Sequence, residues 1–335
     1  APPRGWSKGG GRLVRAGKEI YAGLLANDQS TRVTIYRAAA APTATWTPWA
    51  AEIEDLGPMQ MGDRLYWPSR ASASSVLELA FRGSDGSVVR VPGTDNELSF
   101  AVDGAIAYTF DLRWCPTTAP CPLYEMISAV DLARGEVIWS QPFDRHGFHP
   151  ALDDRTIHFV TNWDVKQQTQ RTRLFTMPRS GGPPVEIPVV FEVPDLDVGG
   201  AAIDGSELVL DAHGPRDPVS GAAEILRIAL PLPLDPKSAP AVRRVSFGKT
   251  AIGSYRTFDR ESVYYTVDEP RARGQTQVQR LMRACKDGSN PVQILEGVSS
   301  NDASQHPEAF SIDGLASDDG RVFFTSGNAV WSIDK

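Results

Sequence analysis

The sequence predicts an all-β fold made of seven repeated units, each with four antiparallel strands. Along the 335 residues, a turn of Asp or Gly residues is followed by an apolar run, a second strand and, in six copies, a Gly- or Pro-rich bend and a third strand. Successive copies lie 41 to 59 residues apart, which is the spacing of four-stranded blades, so we expect a seven-bladed β-propeller. The apolar runs begin at Ile20, Leu65, Ile106, Ile157, Leu208, Val263 and Val322.

Each copy opens with a turn whose residues favour a tight hairpin. Asp and Gly readily adopt the positive φ angles and side-chain-capped conformations that short connections between strands require. The turns are Gly17-Lys18, Asp63-Arg64, Asp103-Gly104, Asp153-Asp154, Asp204-Gly205, Asp259-Arg260 and Asp318-Asp319-Gly320.

The run after each turn is rich in β-branched and aromatic residues, as in residues 106–110 (IAYTF) and 263–266 (VYYT). Short, nearly continuous apolar runs are typical of strands that are buried on both faces between stacked sheets. A further strand follows in segments such as 174–177 (LFTM) and 225–228 (ILRI). No segment has the pattern of a long amphipathic helix.

We expect residues 1–335 to form one domain, because closed all-β folds of this length are common as single units. The last copy reaches Lys335 after its third strand. The fourth strand of that blade would then come from residues 1–11, around Gly5 to Gly11, as a segment that closes the ring and covers a strand edge, or it would be absent. A six-bladed ring with an irregular first unit is the alternative, because the copy at Ile20 matches the repeat least well.

Four segments resemble known propeller families. Residues 285–295 (CKDGSNPVQIL) resemble the blade end of YWTD and TolB-type propellers, and residues 108–111 (YTFD) and 265–268 (YTVD) resemble the YWTD strand. Residues 130–139 (VDLARGEVIW) resemble the repeat of quinoprotein-like propellers. These resemblances imply the propeller fold and assign no functional residue, so they give no reason to expect a quinone cofactor.

Composition and charge narrow the range of partners. Hydrophobic residues make up 41% of the chain, and no apolar run approaches the roughly 18 residues that a transmembrane helix needs. We therefore expect no transmembrane segment. The net charge of −7 disfavours nucleic acid and anionic lipid as partners.

Two of the three cysteines lie close together in the sequence. Cys115 and Cys121 flank the segment PTTAP, a spacing that would close a small disulfide, and Cys285 is left over. Disulfides persist in oxidising compartments. We therefore expect a secreted, periplasmic or cell-surface protein; the alternative is three unrelated thiols.

The strand order predicts which face of the propeller carries function. With the strands of a blade named A to D in chain order, the B–C and D–A connections share one face, and the A–B and C–D connections share the other. The second face has short C–D turns, with one longer exception at residues 231–240. The first face has long connections, where binding and catalysis usually occur. These are residues 111–122, 162–171, 211–221 and 268–277 between strands B and C, and 141–150, 188–199 and 296–310 between strands D and A.

The first face also carries aromatic and guanidinium side chains of the kind that bind peptides and carbohydrates. The ligand-binding candidates are Arg113, Trp114, Trp163, Asp164, Arg271 and Arg273. For the aromatic residues, packing between blades is the alternative.

Four of the five histidines fall on this face, namely His146 and His149 in one D–A connection, His306 in another and His213 in a B–C connection. Neutral imidazoles bind divalent transition metals. His149, His213 and His306 are therefore metal-ligand candidates; the alternative is polar loop residues and no cofactor. His158 falls in an apolar run and is expected in the core.

No Gly-x-Ser-x-Gly, His-Glu-x-x-His or Cys-x-x-Cys motif occurs in the chain. We therefore expect an exported, non-catalytic propeller that binds a protein, peptide or glycan through its loop-rich face, as a subunit of an envelope or extracellular assembly. The alternative is a metal-dependent lyase or hydrolase acting on acidic polysaccharide at the channel mouth. Seven-bladed oligogalacturonate lyases are similar in plan, but none of their motifs occurs here.

Overall fold

Antiparallel sheets arranged as seven blades form the protein, which confirms the predicted β-propeller. The computed structural model describes residues 13–25, 32–41, 45–54, 59–70, 77–92, 94, 99–113, 124–164, 169–189, 197–213, 223–232, 240–246, 252–268, 277–299, 312, 314–317, 320–326 and 329–335. Within these ranges every regular element is a β-strand, so they contain no helix that could cross a membrane.

The strands of each blade pair antiparallel in chain order. Blade 1 contains β1 (Leu13–Ala16), β2 (Glu19–Leu25), β3 (Arg32–Ala39) and β4 (Thr47–Glu54). Blade 2 contains β5 (Gln60–Met61), β6 (Leu65–Arg70), β7 (Leu77–Arg82) and β8 (Val88–Arg90). Blade 3 contains β9 (Ser99–Asp103), β10 (Ile106–Arg113), β11 (Tyr124–Asp131) and β12 (Glu136–Phe143). Blades 4 and 5 contain β13 (Arg145–Leu152), β14 (Thr156–Asp164), β15 (Thr169–Pro178) and β16 (Val185–Ile187); and β17 (Asp197–Asp204), β18 (Glu207–His213), β19 (Ala223–Ala229) and β20 (Val242–Ser246). Blades 6 and 7 contain β21 (Ile252–Phe258), β22 (Ser262–Asp268), β23 (Gln277–Cys285) and β24 (Val292–Ser299); and β25 (Gly314–Ser317), β26 (Arg321–Ser326) and β27 (Ala329–Asp334).

The apolar runs of the sequence are the B strands, and they are buried on both faces as predicted. In β6, Leu65, Tyr66 and Trp67 are each no more than 1% exposed. Successive side chains of a strand point to opposite faces of the sheet. Tyr66 therefore packs towards blade 3, whereas Trp67 packs towards blade 1.

Among the described residues, each of the seven blade junctions holds one apolar cluster. The junction of blades 3 and 4 is the most aromatic. There Phe110, Phe143, Phe159 and Phe175 form four ring pairs with centroids 4.9 to 5.6 Å apart. Such pairs contribute about 1 kcal/mol each beyond the burial of their area. Apolar packing between blades is therefore what holds the ring together.

The A–B turns bring neighbouring blades into close contact. The N–H of Asp63 in blade 2 donates to the carbonyl oxygen of Gly104 in blade 3 at 2.9 Å. Gly104 has a φ of +56°, which favours glycine. A Cβ on Gly62 would lie 2.4 Å from both that carbonyl oxygen and Cγ1 of Val102. Glycine at position 62 is thus required by the approach of the two blades.

One predicted loop is wrong. Residues 141–150 were expected to form a D–A connection that contains His146 and His149, but β12 extends to Phe143 and β13 begins at Arg145. Gly147 and Pro150 break the sequence pattern of a strand. The strand accommodates them at two irregularities in its pairing with β14, between His146 and Gly147 and between Phe148 and Ala151. Proline is tolerated in a strand at such bulges because no ladder hydrogen bond needs its missing N–H.

The ring closes between blades 7 and 1 through side-chain packing. Leu13, Ile20 and Ala22 of blade 1 pack against Ala316 and Phe323 of blade 7. A hydrogen bond from Nη1 of Arg15 to the carbonyl oxygen of Ser317, at 3.4 Å, accompanies them. Blade 7 has three strands within the described residues. The predicted closing segment, residues 1–11, lies outside those residues.

Deleting residues 1–11 is expected to lower the thermal melting temperature by several degrees, because the fourth strand of blade 7 would be lost and a strand edge exposed. Circular dichroism melts would measure the change. A second variant, in which the same segment is replaced by a Gly/Ser sequence of equal length, should melt like the deletion. An unchanged melting temperature in both variants would contradict the closing role.

Candidate functional site

The two faces of the propeller differ in the length of their connections. On the turn-bearing face, the A–B turns of blades 1, 3 and 5 have two residues each, 17–18, 104–105 and 205–206. On the loop-bearing face, the B–C connections of blades 3, 5 and 6 span residues 114–123, 214–222 and 269–276. In blade 4 the connection is shorter than predicted, because β14 and β15 extend to leave only residues 165–168.

Three predicted ligand-binding residues lie at the loop-bearing ends of strands in adjacent blades. Arg113 ends β10 in blade 3, and Trp163 and Asp164 end β14 in blade 4. Their side chains lie outside the described part of the structure, as do the whole of Trp114, Arg271 and Arg273. A ligand site formed by these six residues stays a prediction.

Some of the predicted metal-ligand histidines and of the cysteines lie within the described residues, and others lie outside them. His213 ends β18 on the loop-bearing face and His149 lies in β13, whereas His306, Cys115 and Cys121 lie outside the described residues. Within the described ranges, no three metal-ligating side chains come together, and the metal site and the disulfide stay predictions. Cys285 is a free thiol.

The turn-bearing face carries a polar arrangement that is best seen at Asp259, in the A–B turn of blade 6. Its Oδ1 accepts hydrogen bonds from the backbone N–H groups of Glu261 and Ser262, at 2.8 and 2.7 Å. Its Oδ2 accepts one from the Tyr264 hydroxyl at 2.9 Å and one from Nζ of Lys335. Burial acts to raise the pKa of Asp259, but these donors outweigh it and lower that pKa to about 2.

Lys335 is one of three cations that bind a carboxylate of the preceding blade. Each is the first residue after strand C of its own blade, and the pairs are Arg179 with Asp103, Lys286 with Asp204, and Lys335 with Asp259. The guanidinium of Arg179 also lies 5.2 Å from the ring centre of Tyr108, and Nζ of Lys335 lies 4.9 Å from that of Tyr264. These contacts link blades 3 and 4, 5 and 6, and 6 and 7.

A buried arginine extends the link between blades 5 and 6. Arg227 is 3% exposed, and its Nη2 and Nε lie 2.5 Å from Asp204 and 2.7 Å from Glu207. Burial alone would lower the pKa of Arg227, but the two carboxylates raise it. Burial likewise opposes the ionised form of Asp204, yet Lys286 and Arg227 together lower its pKa. A buried charge with partners on both sides in this way has a structural role.

Blade 4 departs from this arrangement. Oδ1 of Asp153 accepts hydrogen bonds from the backbone N–H groups of Arg155 and Thr156, at 2.8 and 2.7 Å, as Asp259 does in its own turn. Oδ2, however, accepts one from the Thr156 hydroxyl at 2.5 Å and lies 2.9 Å from Nε2 of His158. His158 is 1% exposed, which confirms its predicted place in the core.

The protonation states at this turn follow from burial and hydrogen bonding. Burial lowers the pKa of His158 despite the adjacent carboxylate. Burial acts to raise the pKa of Asp153, but the hydrogen bonds lower it to about 2. At neutral pH a neutral imidazole therefore faces an ionised carboxylate.

The hydroxyl, imidazole and carboxylate do not form a nucleophilic relay. Thr156 Oγ1 and Asp153 Oδ2 both approach Nε2 of His158. Nδ1 has no hydrogen-bond partner among the described residues. A relay needs the nucleophile and the carboxylate on different ring nitrogens.

A groove of about 690 Å³ opens beside this turn, between blades 4 and 5 on the turn-bearing face. Blade 4 contributes residues 152–156 and Pro178; blade 5 contributes Ile203, the turn at 205–206 and residues 230–232. Sequence reasoning missed this groove. Its signals were the longer C–D connection at 231–240 and a leucine, Leu230, where three other blades have a lysine or arginine after strand C.

The chain matches no protein-family model and no curated protein. Solved structures share its fold at low identity. An acylaminoacyl peptidase from Pyrococcus horikoshii is 12% identical over 97% of this chain and 51% of that chain, about half its length, with a TM-score of 0.60. The propeller domain of the Trilobed protease from Pyrococcus furiosus, described as having an open velcro topology, is 11% identical over 97% and 96%, with a TM-score of 0.58. A protein described as TolB from Agrobacterium tumefaciens is 13% identical over 76% and 85%, with a TM-score of 0.46. At such identities the first two show a shared propeller fold.

Replacing Asp259 by Asn should flatten the acid dependence of stability. The folded-state pKa is lowered from 3.8 to about 2, so the stabilisation is complete above about pH 4 and is lost as the pH falls towards 2. In urea unfolding at pH 5 and pH 2, the wild-type free energy of unfolding should fall by about 2 kcal/mol more than that of Asp259→Asn.

Glu136→Gln, at an exposed position of β12, serves as the control and should keep the wild-type acid dependence. Equal losses between pH 5 and pH 2 in wild type and Asp259→Asn would show that Asp259 adds no stability through its ionisation.

Proposed function

We propose that this chain is a non-catalytic, exported propeller that binds a protein, peptide or glycan through its loop-bearing face, as a subunit of an envelope or extracellular assembly. The observation that carries the proposal is the division of the connections. Short turns occupy most of one face, and B–C connections of eight to ten residues, 114–123, 214–222 and 269–276, share the other. Long loops on a rigid scaffold are the usual place for binding residues.

The strands that lead to the loop-bearing face are well anchored. Thr109 and Phe110 of β10, four and three residues before Arg113, are 1% and 2% exposed. Val160 and Thr161 of β14, just before Trp163, are both 0% exposed. Side chains at the ends of strands held in this way bind a ligand with a smaller loss of conformational entropy.

The chemistry of the predicted residues supports binding. Tryptophan supplies a large contact area with few rotatable bonds, and arginine supplies planar, multiple hydrogen-bond donors. Arg113 and Trp163 combine these properties in neighbouring blades. In contrast, the hydroxyl, imidazole and carboxylate of Thr156, His158 and Asp153 do not form a relay.

Loss of the loop-bearing side chains should abolish ligand binding. Random peptides on phage and an array of glycans would be screened with the full-length chain, and each selected ligand titrated against Arg113→Ala/Trp163→Ala. We expect its Kd to rise at least about tenfold, because central aromatic and arginine contacts dominate binding energy.

Arg134→Ala/Trp331→Ala is the matched control, since it removes the same two side-chain types at exposed positions away from that face, 72% exposed for the Arg134 side chain and 50% for Trp331. Equal weakening in both variants, or no ligand in either screen, would contradict the proposal.

Elemental mass spectrometry adds a separate test. Near-stoichiometric metal that disappears in His149→Ala/His306→Ala would favour the lyase or hydrolase instead.

Export predicts a defined thiol count. With Cys115 and Cys121 joined in a disulfide, the denatured, unreduced chain exported by its host should react with one equivalent of thiol reagent, at Cys285. After reduction it should react with three equivalents, the total number of cysteines. Three reactive thiols before reduction would contradict the disulfide and remove the main support for export.

A further inference from the structure

We propose that the groove between blades 4 and 5 binds a segment of a partner protein that places one lysine or arginine side chain beside Asp153 and apolar side chains against Leu230 and Leu232. The groove lies on the turn-bearing face. It therefore does not depend on the ligand proposed for the loop-bearing face.

The chain itself shows what a carboxylate in this position binds. At three other blade junctions, the residue after strand C supplies a cation to the A–B turn carboxylate of the preceding blade. At the junction of blades 4 and 5 that residue is Leu230. Among the described residues, no lysine or arginine side chain pairs with the carboxylate of Asp153.

Leu230 holds the same backbone position as the three cations. The N–H of each donates to a carbonyl oxygen in the A–B turn of its own blade, and the pairs are Arg179 with Arg155, Lys286 with Glu261, Lys335 with Gly320 and Leu230 with Ser206. The difference at this junction is therefore in the side chain and not in the path of the backbone. Leu132 and Ala40 make the same backbone bond in blades 3 and 1, to Ala105 and Lys18, so the position accepts either a cation or an apolar residue. Beside Leu132 the turn carboxylate of Asp63 pairs with Arg64, whereas beside Leu230 no described lysine or arginine side chain pairs with the carboxylate of Asp153.

The carboxylates of Asp153 and Asp259 are held in similar ways but differ in charge compensation. Both accept two backbone N–H groups on Oδ1. On Oδ2, His158 and the Thr156 hydroxyl take the places that the Tyr264 hydroxyl and Nζ of Lys335 take in blade 6. Lys335 brings a positive charge to Asp259, whereas neutral His158 and Thr156 bring none, so the Asp153 side chain, 20% exposed, keeps its charge at the groove.

The walls of the groove favour a peptide over a free ion. Leu152, Ile203, Leu230 and Leu232 give it apolar surface, along which the methylene groups of a lysine or arginine pack while the charged end reaches a carboxylate. A volume of about 690 Å³ falls within the range of sites that hold several side chains.

Charge at the rim favours a single cation. Asp154 and Arg155 are both exposed lining residues, so the lining with Asp153 carries two negative charges and one positive. The net charge of the chain, −7, also attracts a basic segment at long range. Arg155, however, would repel a second cation placed close to the first.

The decisive variant is Leu230→Lys, which supplies the missing cation from the chain itself. Random heptapeptides on phage would be selected for binding to the wild-type chain and against binding to Leu230→Lys, and the survivors synthesised for fluorescence anisotropy. We expect them to share one lysine or arginine with apolar neighbours. Their Kd should rise at least about tenfold with Leu230→Lys, and also when norleucine replaces the cationic residue.

Leu230→Met is the matched control, because it keeps an apolar side chain of similar size, and it should bind the peptides as the wild type does. A cooperative thermal transition in both variants would establish that each is folded. If no peptide distinguishes wild type from Leu230→Lys, or if norleucine binds as well as lysine, the proposal is wrong. Lys237→Ala tests whether a lysine of the chain itself supplies the cation for the groove. Peptide binding seen only in that variant would assign the groove to Lys237 and overturn the proposal.

Discussion

Each blade has two apolar faces, and it can bury them only against the two blades beside it. Alternation along the B strands makes this possible, since Phe159 packs with the rings of blade 3 while Val160, the next residue, packs with the leucines of blade 5. No blade buries both faces unless the ring is complete. The positions of the strand ends, and therefore of every connection on both faces, follow from this packing.

The apolar clusters fix the distance between neighbouring blades, and this distance decides which polar groups on the turn-bearing face can meet. The aspartates of the A–B turns satisfy backbone N–H groups locally, and they stand close enough to the next blade to meet a cation. Where both partners are mostly buried, as with Asp259 and Lys335, loss of one partner would leave an uncompensated charge and destabilise the fold. The junction of blades 4 and 5 lacks this pair among the described residues, yet it has one of the largest apolar clusters there, with nine buried residues. The absence of the ion pair is thus compatible with a stable ring.

Local patterns in the sequence predicted the B strands, the A–B turns and the division of the faces, because burial on both sides and tight turns restrict residue types locally. The strand at residues 145–152 was not predictable in this way, since Gly147 and Pro150 indicate a loop and pairing with β14 overrides them. The ion pairs between blades could not be predicted from the sequence either. Arg179 and Asp103 are 76 residues apart, and nothing near either residue indicates the other. The side chains of the predicted ligand and metal residues fall outside the described structure, so the sequence is still their only support.

The closure between blades 7 and 1 has a mechanical consequence. Within the described residues, the other blades are four-stranded meanders held by backbone ladders. The contacts seen at this closure include an apolar cluster with two alanines, Ala22 and Ala316, and a long hydrogen bond. A force that pulls blades 1 and 7 apart acts on side-chain contacts at the closure. Within a blade, the same force acts in shear on a ladder of backbone hydrogen bonds. With the predicted closing segment, residues 1–11, removed, the ring therefore opens under tension at this seam before any blade unravels, and the remaining blades stay folded as an open arc.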